Sequence, residues 1–164
     1  MSDPDLLQKL KIRRQHVLDG AERRLDGQKD GRSIVKYITA SVDEIIREGW
    51  REISPVLRSD VDLVAIGGYG RAELCPFSDW DILFLVPERY GQSVLDDISK
   101  YSQLVWDIGG KLGHSVRTIK DARQFFEVNH HARTAFLESR LIDGEGHLYE
   151  ELCATESAGK WNRK

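Results

Sequence analysis

Cysteine is scarce in this sequence, and what there is lies badly for cross-linking: Cys75 and Cys153 are far apart and outside any CxxC or Cys/His spacing. That excludes a disulfide framework and a zinc site of the usual spacing, and it fits a reducing compartment. Long hydrophobic runs are missing too. No apolar stretch approaches the roughly 20 residues that cross a bilayer, and residues 1–10 are charged rather than built as a signal peptide. The expected location is the cytoplasm, with no membrane anchor. Nor is there an excess of positive charge. The formal net charge is -3, so apart from the basic pairs Arg13-Arg14 and Arg23-Arg24 nothing draws the chain to nucleic acid or acidic membranes. Internal repeats and low-complexity tracts are absent, which excludes a solenoid.

What remains is a chain of 164 residues, 40% hydrophobic and 31% charged, enough for one soluble domain with a core. Over 6–25, Leu6, Leu7, Leu10, Val17, Leu18 and Leu25 recur among charges and predict a helix. A loop at 26–31 follows. Ser33 is placed to cap a second helix that carries Ile34, Ile38, Val42, Ile45 and Ile46 on one side and ends near Gly49. Beyond Ser54-Pro55, the apolar run 61–66 predicts a buried strand leading into Gly67-Gly68-Tyr69-Gly70. A second buried strand is predicted over 81–86, stopped by Pro87, then a helix over 93–112 closing on Gly109-Gly110 and Gly113. Residues 114–119 predict a third strand and 121–129 a helix, with a last ordered unit through Leu141. This alternation implies a mixed α/β fold of the α+β type, a small sheet covered by helices. Its expected parts are a helical segment at 1–50, a core at 51–153 and a polar tail at 154–164.

Chemistry concentrates between the first two strands, in Gly67-Gly68-Tyr69-Gly70-Arg71-Ala72-Glu73-Leu74-Cys75-Pro76-Phe77-Ser78-Asp79-Trp80-Asp81. Glycines at a strand end let backbone N–H groups approach phosphate oxygens with no β-carbon in the way. The same glycines also serve any tight strand-to-helix turn. The familiar nucleotide loops do not apply, because there is no GxxxxGK[ST] and the third glycine of the dinucleotide fingerprint is missing. Asp79 and Asp81 are two residues apart at a strand mouth, so they share a face, roughly 7 Å apart at the backbone. Paired carboxylates there suit a hard divalent cation, Mg²⁺ with Mn²⁺ as the alternative, whose shell is completed by water and substrate phosphates. Arg71 matches phosphate geometry, although a salt bridge to Glu73 or Asp79 would occupy it equally well. Tyr69 and Trp80 are expected to support the turn and strand by packing.

The Gly-Gly turn, Arg71 and Ser78-Asp79-Trp80-Asp81 resemble the signature of the polymerase-β-like nucleotidyltransferases. Within that superfamily, GGYGRxEL…SDxD resembles the bacterial protein-PII uridylyltransferases. So do Trp106-Asp107-Ile108-Gly109, Gly113-His114-Ser115-Val116-Arg117-Thr118 and Leu137-Glu138-Ser139-Arg140-Leu141, and the resemblance covers about 31–146. It implies the polymerase-β-like fold with N-terminal helices. It also implies a metal-dependent enzyme, with Asp79 and Asp81 as catalytic metal ligands and Gly67, Gly68, Arg71 and Ser78 as nucleotide-binding residues. The implied reaction transfers UMP from UTP to a tyrosine of the PII nitrogen-signalling protein, carried out by a truncated or isolated transferase domain. Two departures stand out. Many superfamily members have a third aspartate on the next strand, where this chain reads His114-Ser115-Val116-Arg117, which leaves Asp107 and His114 as candidates of a different kind. No His-Asp dipeptide occurs, since His130-His131 is followed by Ala132, so the hydrolytic removal of UMP is not expected of these residues. The alternatives are a nucleotide- or partner-binding regulatory module with little turnover, and a stand-alone nucleotidyltransferase with another acceptor.

Overall fold

The structure, a computed structural model, describes residues 4–55 and 60–158. Two long antiparallel helices open it, α1 (Pro4–Asp26) and α2 (Gly31–Ile53). Asp30, not Ser33, caps α2: its carboxylate accepts the Ser33 N–H at 3.0 Å, satisfying a donor that the first helical turn leaves free. The helix also runs past Gly49. A β-carbon there would meet Leu104, Tyr101 and Leu10 at 3.3–3.5 Å, so this glycine permits close helix packing instead of ending the helix.

The sheet follows. Strands β1 (Asp62–Ala65) and β2 (Trp80–Leu85) are antiparallel, with the single helical turn α3 (Gly67–Gly70) between them. Helix α4 (Gln92–Asp107) is the crossover that lets β3 (Leu112–Arg117) pair in parallel with β2. Helices α5 (Ile119–Val128) and α6 (His130–Leu137) lead to β4 (Arg140–Asp143), which pairs antiparallel with β1, and α7 (His147–Ala158) closes the described chain. The strand order is β3-β2-β1-β4. This is the mixed α/β architecture that the alternation predicts. The described part of the expected tail, 154–158, is the end of α7, while 159–164 lie outside the described residues. Helix α7 does not figure in the sequence reading, and β4 is reached only by its last ordered unit through Leu141, to which it assigns no strand.

Strand alternation divides the core. Ile82, Phe84, Leu63 and Ala65 face α1, α2 and α4, where Trp50, Phe84 and Tyr101 meet with ring centroids 5.4–5.9 Å apart. Leu83, Leu85 and Val64 face α5, α6 and α7 through Phe126, Phe136, Leu148 and Leu152. Asp81 is in register with Leu83 and Leu85, so it emerges on this second face at the open end of β2. Among the described residues no helix is long and apolar enough to cross a membrane.

Asp62 fastens α7 to the sheet. Fully buried on β1, it accepts the N–H groups of Gly146 at 2.8 Å and Tyr149 at 2.9 Å, at the entry of α7. Asp62→Ala would strand both donors in a dry interior. We expect a loss of about 2–4 kcal/mol in urea denaturation, and a loss below 1 kcal/mol would show that α7 is held by packing alone.

Candidate functional site

The strand β1 ends at Ala65, and the chain turns into α3 at Gly67, whose φ of +59° is the left-handed conformation that glycine adopts freely. Ile66 stands at the cap position and offers no side-chain acceptor, so the first N–H groups of the turn have no partner of the usual kind. Gly70 is required for a different reason. A β-carbon there would lie 1.9 Å from the Glu138 carbonyl oxygen and 3.0 Å from that of Ala65, both rigid backbone. The turn is thus pressed against the entry to β4. The Ile66 N–H also donates to the Asp81 carbonyl at 3.1 Å, which links the start of the turn directly to the acidic residue.

Between turn and acids runs a loop held from α2. The Leu74 N–H donates to Thr39 Oγ1 at 3.1 Å, and Ala72 and Phe77 both adopt positive φ, 60° and 67°. Ser78 closes the loop locally: its hydroxyl donates to the Cys75 carbonyl at 2.9 Å, so its proton is committed there and only its lone pairs remain available. Asp79 and Asp81 follow, both exposed, and neither has an ion-pair partner among the described residues. Asp81 lies over Gly113, its cross-strand partner on β3, where a β-carbon would meet Asp81 Oδ1 at 2.4 Å. Partial burial, then the negative charge of Asp79, raises the Asp81 pKa above the usual carboxylate value. Two acids that repel each other, with no cationic partner among the described residues, form a donor set suited to a hard divalent ion. Among the described residues no cluster of three His, Cys, Asp or Glu side chains forms, so protein groups alone would leave most of such an ion's shell to other oxygens.

Arg71 follows the turn and is exposed. It donates to Glu73 at 2.8 Å and also pairs with Glu138, and these hydrogen bonds push its pKa further up. Of the salt bridges expected from the sequence, the one to Glu73 forms, Glu138 takes the place of Asp79, and Arg71 stays within reach of the turn. Tyr69 is buried, and its hydroxyl donates to Asp43 on α2 at 2.8 Å. Arg140 of β4 grips the same carboxylate with both arms, at 2.7 and 2.8 Å. Burial, then the charge of Asp43, holds the Tyr69 phenol well above its usual pKa and therefore protonated. Asp43 and Arg140 went unassigned in the sequence, because a lone Asp inside an apolar helical stripe signals nothing until its partners are known.

Trp80 is buried in the first core layer and supports β2 by packing. His114 and Asp107 belong elsewhere. His114 pairs in register with Ile82, so it faces α4, near Phe84, Trp106 and Ser102, with its pKa lowered by burial. The strand register thus turns His114 to the face opposite Asp81. Asp107 ends α4 and accepts from Gln103 at 2.8 Å. Asp79 and Asp81 line none of the cavities of about 420, 460 and 550 Å³, although Pro76 and Phe77 of the preceding loop border the last of these.

No protein-family model matches the chain. It is similar to the bifunctional uridylyltransferase/uridylyl-removing enzyme of Aromatoleum aromaticum, 36% identical over 143 residues, 85% of this chain and 16% of that protein. The enzyme of the same name from Ectopseudomonas mendocina is 33% identical over 150 residues, 91% of this chain and 17% of the relative. That of Pseudomonas fluorescens is 34% identical over 149 residues, 90% of this chain and 16% of the relative. The chain spans about one sixth of the length of these curated relatives.

The raised Asp81 pKa has a consequence for stability. Folded, this group holds its proton to a higher pH than it does unfolded, so its ionisation works against the fold as pH rises through the folded pKa. In metal-free buffer at pH 7, Asp81→Asn should melt no lower than the wild type, and the gap between them should narrow as the buffer is taken from pH 7 to pH 4. A melting temperature several degrees below wild type at both pH values would mean that the carboxylate is structural.

Proposed function

We propose that this chain, related by homology to one segment of the bifunctional uridylyltransferase/uridylyl-removing enzymes, transfers UMP from UTP to a tyrosine hydroxyl of a PII signalling protein. The observation that carries this reading is the pair of exposed carboxylates, Asp79 and Asp81, without cationic partners among the described residues, with Asp81 fastened by a backbone hydrogen bond beside a glycine turn. Asp79 and Asp81 would hold Mg²⁺ or Mn²⁺. When bound, such an ion neutralises charge on the reacting phosphates and orients them. Gly67 and Gly68 present N–H groups to the triphosphate, Arg71 exchanges its carboxylate partners for phosphate oxygens, and Ser78 borders the same loop. The acceptor oxygen bonds to the α-phosphorus as the bond to the bridging oxygen breaks; pyrophosphate leaves and the phenolic proton passes to water. Positioning and electrostatics supply most of the rate in such a transfer.

Incubating the chain with each labelled nucleoside triphosphate, Mg²⁺ and a PII protein, followed by mass spectrometry, tests donor and acceptor together. We expect UMP on a single tyrosine. Asp79→Asn and Asp81→Asn should each reduce transfer by at least about a hundredfold, in keeping with the several kcal/mol a metal contributes to a charged transition state. Labelling from ATP and not UTP would overturn the uridylyl assignment, and wild-type turnover by either variant would overturn the site.

Arg71→Ala separates two roles for the guanidinium. Exposed ion pairs are screened by solvent and add little to stability, so melting should barely move, while calorimetry should show triphosphate binding weakened about tenfold or more. Unchanged affinity with a large fall in melting temperature would assign Arg71 to Glu73 and Glu138 alone.

A further inference from the structure

The block Leu137-Glu138-Ser139-Arg140-Leu141 has no part in the reaction described above, yet it meets the glycine turn at three points. The Glu138 carbonyl occupies the space a Gly70 side chain would need, and the Glu138 carboxylate holds Arg71. Arg140 forks onto Asp43, and its Nη2 comes within 3.5 Å of the Tyr69 carbonyl oxygen. Tyr69 sits between Gly68 and Gly70, so whatever fixes its ring and hydroxyl fixes both flexible neighbours. A buried Asp–Arg pair is weak evidence for stability, because desolvation offsets much of the attraction, and apolar residues of equal volume would often serve as well. What the pair has that apolar packing lacks is direction. Two arms of a planar fork and one phenolic O–H converge on a single carboxylate and leave α2, α3 and β4 one relative placement.

We propose that Asp43, Tyr69 and Arg140 are positioning residues for nucleotidyl transfer: they hold the Gly67-Gly68 turn and Arg71 at a fixed separation from Asp79 and Asp81. The inference rests on the function proposed above. The connection is covalent and short. Tyr69 is three residues from Ile66, whose N–H is bonded to Asp81, and two from Arg71. A carboxylate on α2 therefore sets the spacing between the triphosphate-contacting turn and the acidic residues on β2. Misplacing reacting groups by about 1 Å can lower a rate about a hundredfold with no contact to substrate removed.

Tyr69→Phe deletes the hydroxyl and keeps the ring. Arg140→Lys keeps the charge and loses the fork, and Arg140→Met loses both. For each variant, kcat, KM for UTP, the melting midpoint and amide hydrogen exchange over 66–71 are measured on the full chain, well below the melting transition. Tyr69→Phe should lower kcat/KM for UTP about tenfold to a hundredfold and speed exchange over 66–71, leaving exchange in α1 unchanged. Arg140→Lys should fall between wild type and Arg140→Met. Folded Tyr69→Phe and Arg140→Lys proteins with wild-type kcat and KM, but lower melting midpoints, would reduce the network to a structural brace and overturn the proposal alone. A wild-type chain that transfers no nucleotide from any triphosphate would overturn the functional reading and this inference with it.

Discussion

Asp43 is the carboxylate on which the arrangement of the molecule turns. Buried on α2, it accepts from both arms of Arg140 on β4 and from the Tyr69 hydroxyl in α3, while Arg47 lies 3.5 Å away on its own helix. A charge in that position is tolerable only when its lone pairs are met, and here they are met by its own helix and by two elements distant in the chain, α3 and β4. The helical layer and the end of the sheet are consequently joined by directional bonds as well as by apolar contact. Replacing apolar contact with a network of this kind narrows the number of ways the layers can sit, which matters most where a glycine turn must keep its place.

The other half of the site has the opposite character. Asp79 and Asp81 are exposed and without cationic partners among the described residues, and partial burial together with the charge of Asp79 raises the Asp81 pKa. Two like charges so placed oppose folding when both are ionised. Gly113 makes the arrangement possible by leaving room for the Asp81 carboxylate over β3. The Ile66 to Asp81 hydrogen bond then carries the rigidity of the turn across to the acids. The homology to uridylyltransferases spans both halves, the network and the acids.

Much of this was legible in sequence because it is local. Continuous apolar runs marked β1 and β2, a period near 3.6 marked α1 and α2, and alternation predicts Asp79 and Asp81 on one face. Glycines between two strands marked the turn, and their resemblance to a known signature supplied the chemistry proposed for it. The errors were those local patterns permit. Gly49 looks like a helix terminator unless Leu104 and Tyr101 are seen against it, and Ser33 looks like a cap unless the Asp30 backbone is seen to be extended.

By itself, then, the sequence determined the mixed α/β composition, the turn between β1 and β2, and the acid pair, because each depends on residues a few positions apart. Only the tertiary structure decided that His114 faces α4 and not the acids, since register with Ile82 is a property of strand pairing. It alone joined Asp43, Tyr69 and Arg140, which lie 26 and 97 residues from one another along the chain in their two Asp43 contacts. A hydrogen-bonded network over such separations leaves no periodic trace, because it is satisfied by geometry that the chain acquires only when its layers close.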